Sequence, residues 1–252
     1  NSISSPIIKI AITAIALGII IMLIAITTSA GLQIKIRDKM AGFKGHVQIV
    51  NYDNNNSEVS VVPIDKNQDF YPKFKTISGI KNVQVFASKG GILRTENEFE
   101  GIIFKGASTD YNWSFFKEYM VEGRIPDVTL PRTKEVLLSK TVMSRLRLKL
   151  NDTILSTFPK NDINKIPSNR KYIIVGVFNT GFAQFDNSVM IGDLREVQRL
   201  HKWTDNQVGG FEVLLDNFDN IEEKGDEIYN QIGAQLNSKT IVESYPNIFD
   251  WI

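Results

Sequence analysis

The stretch IAITAIALGIIIMLIAITTSA, residues 10–30, decides the first feature of the fold because it carries no charge anywhere along its length. At about 1.5 Å rise per residue, a helix over this stretch covers the roughly 30 Å hydrocarbon core of a bilayer. A buried core helix is usually shorter and has a polar stripe, and the apolar part of a signal peptide is only about 7–15 residues long. The stretch therefore predicts a transmembrane helix.

The helical pattern continues past this stretch, with apolar residues set among charged ones. The apolar positions are Ile34, Ile36, Met40 and Phe43. Apolar and charged residues interspersed in this way are typical of an amphipathic helix. The glycines at Gly42 and Gly45 are natural places for it to end. We expect a stalk that leaves the bilayer and couples it to the rest of the chain.

Charge leaves the orientation of the span open. Lys9 precedes it, whereas Lys35, Arg37, Lys39 and Lys44 follow it. The positive-inside rule by itself would place the larger part of the chain in the cytoplasm, but long domains translocate largely regardless of their charge.

Composition excludes several functions. The net charge of +1 argues against a nucleic-acid binder, and the absence of cysteine excludes disulfides, thiolate zinc sites and cysteine nucleophiles. The sequence has no phosphate-binding P-loop motif and no H-E-x-x-H zinc motif, so we expect neither a cofactor nor a metal in this chain. Because the chain starts with Asn1 and ends in mid-pattern, we expect it to be a piece of a longer protein.

Two similar segments follow the stalk. HVQIVNY (residues 46–52) and NVQVFAS (82–88) read as strands, and Phe70, Phe74 and Ile77 between them have helical spacing. The same order returns near the end, where strand GFEVLLD, helix NIEEKGDEIYNQIG and strand KTIVESY occupy residues 210–216, 220–233 and 239–245. Two such units can share one sheet in a split βαβ arrangement.

The region between these units is rich in strand signals. A hairpin is predicted at Asn97-Glu98, further strands at EVLLS, DTILSTF and KYIIVGVF, and a short helix in DLREVQRL with Asp193 as its N-cap. The fold class is therefore α+β, with two porter-like βαβ units around a β-rich inserted subdomain. The predicted division is residues 1–45 (span and stalk), 46–95 (first βαβ unit), 96–206 (insertion), 207–245 (second βαβ unit) and 246–252 (start of a second stalk or span).

The stretch GVFNTGFAQFDNSVMIGDLREVQRL, residues 176–200, combines one acid with two aromatic rings. Asp186 has no histidine, lysine or second carboxylate near it in sequence, which makes it a poor general acid or base. We expect a structural corner joining the insertion to the helix at 193–200, in which the Asp186 side chain caps backbone amides. Gly176 and Gly181 would let the chain turn, and Phe182 and Phe185 would pack it.

An ordered set of motifs resembles a known family. The motifs are GHVQIVNYD, GIIFKGASTDY, VEGRIP, EVLLSKTVMSRLRLKLNDTI, FPKNDINKIPSNRKYIIVGVFNTGFAQFDNSVMI and DLREVQRLHKW. In this order, after a span and a stalk, they resemble the MacB-like periplasmic core domain of bacterial ABC-transporter permeases, nearest the lipoprotein-releasing (LolC/LolE-type) subunits. One departure is Asn151-Asp152, where the family pattern usually has Gly-Asp; asparagine tolerates positive φ better than most residues.

This resemblance implies a permease subunit of the bacterial inner membrane, with residues of about 46–245 in the periplasm. A separate ATPase subunit would bind ATP, and a second permease copy or paralogue would complete the transporter. The chain would itself be no enzyme. It would transmit ATP-driven motion, extract lipoproteins or another extracytoplasmic substrate from the membrane, and hand them to a periplasmic carrier.

The resemblance also implies a carrier-binding hook between two strands of the insertion. The matching positions are Phe158, Pro159, Lys160, Ile166, Pro167, Ser168 and Arg170. The alternative is a plain surface loop. Ser168 and Lys171 also spell S-x-x-K, but they lead into a strand rather than a helix, which argues against a serine acylase.

Two further functions fit the same resemblance. A MacB-like exporter would move a peptide, toxin or drug with an outer-membrane partner. An FtsX-like membrane protein would signal or activate a cell-wall hydrolase without any cargo. A membrane-anchored enzyme would need Asp186 or Ser168 for turnover.

Overall fold

The apolar stretch lies in one helix, α1, Ser4–Lys44. The computed structural model describes residues 4–54, 57–130, 133–160 and 165–249, and the chain divides into a first unit ending at Asp38 and a second unit, Lys39–Trp251. Among the described residues, the portion Ile8–Lys44 is long and apolar enough to cross a membrane, by length and composition. The end of the helix, from Lys39 on, belongs to the second unit. The boundary of the span and stalk at residue 45 stays a prediction.

The second unit is built from strands and short helices. Its strands are β1 (Val47–Asn51), β2 (Ile64–Asp65), β3 (Ile80–Arg94), β4 (Phe99–Ala107), β5 (Met120–Gly123), β6 (Glu135–Ser139), β7 (Thr153–Phe158), β8 (Ser168–Phe178), β9 (Val189–Asp193), β10 (Gln207–Val208), β11 (Gly210–Leu215) and β12 (Leu236–Thr240). Its helices are α2 (Ser114–Glu118), α3 (Lys140–Arg145), α4 (Ala183–Asp186), α5 (Leu194–His201), α6 (Ile221–Gln231), α7 (Ile241–Ser244) and α8 (Pro246–Phe249). The α+β class is confirmed.

The C-terminal unit is a split βαβ motif. β11 and β12 are joined by α6, and β1 lies between them, antiparallel to both. The sheet continues from β11 to β3, which gives the order β12-β1-β11-β3. Ile221 and Ile228 of α6 are buried as the periodicity predicts.

The second half of β3 takes part in a barrel. From β3 the sheet runs through β4, β9, β6 and β8, and β7 then pairs with both β8 and β3, which closes the ring. The predicted hairpin at Asn97-Glu98 is confirmed, because β3 and β4 pair from Phe86↔Ala107 to Arg94↔Phe99. β3, which lies in the predicted first unit, therefore pairs both with β11 of the predicted second unit and with β4 and β7 of the predicted insertion. The division into subdomains stays a prediction.

The barrel interior is aromatic. Phe104 lies 5.9 Å from Phe158 and 5.1 Å from Tyr172 between ring centroids, and all three are buried. Side chains alternate across a strand, so neighbouring residues such as Ile103 and Ile173 face away from this interior. Burial of such large rings supplies much of the hydrophobic stabilisation of a small barrel.

The helix predicted around Phe70, Phe74 and Ile77 is wrong. The structure has turns and bends over residues 66–79, although the three side chains are buried as predicted. Pro72 lies in the middle of this segment; it has no N–H for a helical hydrogen bond and disfavours helical geometry in the residue before it. The segment instead packs on the sheet, with Phe70 5.0 Å from Phe211.

The strand predicted over 239–245 is only partly correct. β12 ends at Thr240 and helix α7 begins at Ile241. Thr240 and Glu243 form a capping box, in which each side chain accepts a hydrogen bond from the other residue's backbone N–H. This local signal overrides the β-branched run that suggested a strand.

Two local predictions are confirmed. Asp193 is the N-cap of α5, and its side chain accepts a hydrogen bond from the N–H of Arg195 at 2.8 Å. Asn151 has φ 68°, so the asparagine adopts the left-handed turn conformation expected at this position.

Candidate functional site at the end of helix α1

The end of α1 is held by an aromatic cluster. The ring of Phe43 is 2% exposed and stacks on Phe185 with centroids 4.1 Å apart. Phe115, Phe116 and Phe178 surround it at 5.3, 5.2 and 6.0 Å. Because each of these rings comes from a different part of the chain than α1, the helix end is fixed to the domain by non-local packing.

Two glycines shape this contact. A Cβ on Gly42 would lie 2.1 Å from the Phe115 ring, so only glycine lets that ring rest on the helix. Gly45 has φ 73°, and its N–H donates to the carbonyl of Ala41 at 2.8 Å. This is the usual left-handed end of a helix, and it directs the chain into β1.

A buried lysine lies against the end of the helix. The Nζ of Lys105, on β4, donates hydrogen bonds to the carbonyl oxygen of Phe43 and to both carboxylate oxygens of Glu212, at 2.7 and 2.8 Å for the latter two. The two charged side chains are 8% and 1% exposed. A cation at a helix C-terminus complements the helix dipole and satisfies one of its free carbonyls.

Polar partners from two more strands complete this site. The register places Gln48 of β1 and Gln84 of β3 on either side of Glu212 of β11. Gln48 donates to one Glu212 oxygen at 3.2 Å and Gln84 to the other at 3.0 Å. The row lies on one sheet face, and the alternating residues such as Phe211 form the apolar opposite face. We call Lys105, Glu212, Gln48 and Gln84 the polar row.

The electrostatics of the polar row follow from its burial. Desolvation lowers the pKa of Lys105, and the neighbouring Glu212 carboxylate opposes that change. Burial, reinforced by Glu212, raises the pKa of the Tyr111 hydroxyl, whose ring lies 5.2 Å from Lys105 Nζ. Buried charges of this kind remain in a protein only when paired and hydrogen-bonded, which is the case here.

A cavity of about 240 Å³ opens beside the polar row. Its apolar walls include Phe43, Phe86 and Phe185, and its polar lining includes Lys105, Glu212 and the Lys44–Glu58 ion pair. No cluster of three or more metal-ligating histidine, cysteine or carboxylate residues occurs in the part of the chain that the structure describes. Lys105 and the rings of Phe43 and Phe185 therefore hold the end of α1 at one wall of this cavity.

The corner around Asp186 adjoins this cluster through Phe185. Asp186 is 3% exposed, and its carboxylate accepts hydrogen bonds from the Thr180 hydroxyl at 2.8 Å and from the N–H groups of Thr180 and Gly181 at 3.3 and 2.8 Å. The predicted capping of backbone amides by Asp186 is confirmed. Phe182 packs 5.4 Å from Phe185, between ring centroids.

Two details of that corner differ from the prediction. Gly181 has φ 69° and turns the chain, but Gly176 lies inside β8 and makes no turn. A Cβ on Gly176 would lie 2.3 Å from the Arg124 carbonyl and 2.5 Å from Leu137, so this glycine permits close approach of neighbouring segments. The corner leads into β9 rather than directly into the helix at 193–200.

The sequence comparison decides the family. Residues 10–230 match the family model described as the MacB-like periplasmic core domain. The chain belongs to the MacB-like periplasmic core domain family. The match contains both the aromatic cluster and the polar row of this MacB-like domain.

One curated relative of the MacB-like domain shares low sequence identity with it. The lipoprotein-releasing system transmembrane protein LolC of Neisseria meningitidis serogroup B (strain ATCC BAA-335 / MC58) is 20% identical over 221 residues, which are 85% of this chain and 51% of that protein. The chain therefore spans about half the length of this curated relative.

Solved structures give further similarities. The extracellular domain of the noncanonic ABC-type transporter YknZ from Gram-positive bacteria is 14% identical, covers 77% of this chain and 99% of that one, and has a TM-score of 0.48. The periplasmic region of MacB from Actinobacillus actinomycetemcomitans is 16% identical, covers 81% of this chain and 92% of that one, and has a TM-score of 0.49.

The hook positions of this MacB-like domain fall at the β7–β8 turn, where Phe158 pairs with Ser168. Phe158 is fully buried in the barrel, so it belongs to the core and presents no surface to a partner. Ile166 is 82% exposed, and Pro159 and Pro167 are also exposed. Lys160, Ser168 and Arg170 are half-buried, and residues 161–164 of the loop lie outside the described residues. Carrier binding by this turn stays a prediction.

The predicted stalk residues divide into two sets. Met40 and Phe43 are buried in the domain, whereas Ile34 is 55% exposed and Ile36 is half-buried. Sequence reasoning missed Lys105 and Glu212 altogether. The available signal was Glu212 itself, a charged residue at a strand position whose neighbours, Phe211 and Val213, are apolar. Such a residue is often exposed in an antiparallel sheet, but here Glu212 is buried and paired with Lys105, which also binds the Phe43 carbonyl.

Proposed function

We propose that this chain is the first span and the extracytoplasmic domain of an ABC-transporter permease subunit that transmits motion mechanically. Membership of the MacB-like family and the apolar α1 support this proposal. A separate ATPase subunit binds ATP, and a second permease copy or paralogue completes the transporter. The chain lies in the bacterial inner membrane, with residues of about 46–245 in the periplasm and with 246–252 leading to a second span.

One structural observation carries the mechanical part of the proposal. The helix that contains the apolar stretch ends inside the domain, where Phe43 lies in the aromatic cluster and Lys105 binds one of its last carbonyls. Because this helix end is held by packing and by a buried ion pair, we expect the sheet to move with it when it turns or slides. Such an anchor suits a domain that is moved by its membrane helix.

The substrate we propose is an acylated lipoprotein, released from the outer leaflet and handed to a periplasmic carrier. The similarity to a lipoprotein-releasing protein supports this choice. The β7–β8 turn, with exposed Ile166 between two prolines, is the surface we assign to the carrier.

The test uses the full-length permease, purified with its ATPase and reconstituted in proteoliposomes that contain a fluorescent lipoprotein. We expect ATP-dependent appearance of the lipoprotein in the soluble fraction when a carrier is present. ATP hydrolysis with the lipoprotein left in the membrane would contradict lipoprotein release.

Depletion of the permease in cells distinguishes lipoprotein release from the alternative functions. Mislocalised lipoproteins support release, whereas hypersensitivity to a drug or peptide with normal lipoprotein localisation would favour a MacB-like exporter. A cell-wall or division defect without cargo-stimulated ATP hydrolysis would favour an FtsX-like signalling protein.

A further inference from the structure

The topology brings the two ends of the domain together. β1 follows α1 directly and is antiparallel to β12, so Val47 pairs with Thr240. The N–H of Ile241, the first residue of α7, donates to the carbonyl of His46 at 2.9 Å. The chain therefore enters the domain from α1 and leaves it toward α8 at neighbouring positions on one sheet edge.

One carboxylate connects the two segments. Glu58 forms an ion pair through Oε2 with the Nζ of Lys44, the last residue of α1. Its other oxygen accepts a hydrogen bond at 2.7 Å from the hydroxyl of Tyr245, the residue between α7 and α8. Glu58 lies in neither α1 nor the α7–α8 segment, and it therefore bridges the two from a separate part of the chain.

The backbone of Glu58 is itself fixed to the sheet. The Ser88 hydroxyl of β3 donates to the Glu58 carbonyl at 3.1 Å, and the N–H of Ser60 donates to the Ser88 carbonyl at 3.0 Å. Ser60 and Ser88 are both buried. The carboxylate is therefore presented from a held position and not from a free loop.

We propose that Glu58 is a positioning residue that ties the end of α1 to the start of the α7–α8 segment, so that a displacement of one is passed to the other. This inference rests on the proposed function, because a tie between two membrane-directed segments matters only in a domain that transmits motion. It adds a named coupling contact that the aromatic cluster and the polar row do not provide, since these hold α1 alone.

The ionisation of Glu58 is consistent with this role. Desolvation of the Glu58 carboxyl acts to raise its pKa, but the charge of Lys44 and the hydrogen bonds from Lys44 and Tyr245 lower the pKa overall. The carboxylate is therefore charged at neutral pH, and it can hold both partners at once through its two oxygens.

The test measures distances in the full-length permease with its ATPase, in lipid nanodiscs. Asp38 and Asn247, which are both exposed, are replaced by cysteine (D38C and N247C), and each cysteine is labelled with a nitroxide. The sequence contains no cysteine of its own. Pulsed electron paramagnetic resonance then gives the distance distribution with and without ATP. The variants are E58A and Y245F, and the second removes a single hydroxyl.

The matched control is E227A. Glu227 pairs with Lys224 on the surface of α6, so E227A also removes one partly exposed glutamate from an ion pair with lysine. We expect a broader label–label distribution and loss of the ATP-dependent shift in E58A and Y245F, and the parental behaviour in E227A.

The outcomes separate the two proposals. An ATP-dependent shift in the parent that persists, with unchanged width, in both E58A and Y245F would overturn the role of Glu58. The absence of any ATP-dependent shift in the parent would contradict the proposed function itself.

Discussion

The Nζ of Lys105 lies 2.7 Å from Oε1 of Glu212, and the same Nζ donates to the carbonyl of Phe43 at the end of α1. A buried ion pair of this kind rarely adds much net stability over a well-packed apolar pair, because desolvation offsets the attraction. We expect the pair to act instead through specificity, by fixing one position for the helix end on the sheet.

Removing one member of the Lys105–Glu212 pair should destabilise the domain strongly. K105M leaves the Glu212 carboxylate buried without its cation, and we expect a loss of about 3–5 kcal/mol in the free energy of unfolding. Chemical denaturation followed by tryptophan fluorescence measures this. The double variant K105M/E212Q, which removes both charges, should recover a large part of the loss; equal destabilisation of the single and double variants would contradict this view of the pair.

Truncating Phe43 should loosen the end of α1. F43A empties the centre of the aromatic cluster, and we expect a cost of about 3–5 kcal/mol. Phe99, which is 74% exposed, gives the matched control F99A, with almost no expected cost. If thermal unfolding of the two variants were alike, the aromatic cluster would not anchor the helix.

Asp186 should matter for stability and not for a reaction. D186A removes the acceptor of the Thr180 and Gly181 hydrogen bonds. The free energy of unfolding, measured by chemical denaturation, should fall by roughly 1–2 kcal/mol. D186N should be similar, because its NH₂ group would face a backbone donor. A fully stable D186A variant that had lost transport would overturn the structural role.

Two histidines should make the domain acid-sensitive. Desolvation, together with the charge of Lys81, lowers the pKa of His46 to about 4. Desolvation and the charge of Lys89 also lower the pKa of His201 to about 4, although the hydrogen bond to the Ser88 carbonyl acts in the opposite direction. Between pH 4 and the ordinary pKa of 6.5, the unfolded chain binds protons that the folded domain does not. Stability should therefore fall as the pH drops through this window.

The size of this acid effect is limited by partial exposure of both rings. We expect roughly 1–2 kcal/mol per histidine, less than the full shift would imply. His46 Nδ1 accepts from the Leu215 N–H, and His201 Nε2 donates to a carbonyl, so H46N and H201Q retain the hydrogen bonds without titrating. Unfolding curves of the double variant should be flatter with pH; an unchanged pH profile would contradict the assignment.

Ile166 should affect partner binding alone. Its side chain is 82% exposed. The variant I166S should therefore change stability by less than about 0.5 kcal/mol. If the β7–β8 turn binds a carrier, binding measured by calorimetry should weaken. I173S, at an exposed position on the barrel wall, is the control, and equal carrier affinity in all three proteins would exclude the turn as the site.

Local signals in the sequence were reliable where the local chain decides the structure. The uncharged run of residues 10–30, the strand at 210–216 and the N-cap Asp193 all have the structure that their patterns predict. Asn151 takes positive φ for a reason contained in its own side chain. The helix predicted within residues 69–79 was wrong because its helical spacing runs across Pro72. The strand predicted over 239–245 was wrong after residue 240 because a capping box starts a helix there.

The sequence by itself determined the apolar helix, the strand-rich α+β class, the family and the corner at Asp186. Only the tertiary structure decided the closure of the barrel by β7 and the meeting of Lys105, 107 residues from Glu212 in the chain, with the end of α1. Such contacts depend on which strands become neighbours, and a strand's side-chain pattern shows which face is buried without showing what covers it. The tie through Glu58 has the same origin, because it exists only where antiparallel pairing of β1 and β12 brings Lys44 and Tyr245 together.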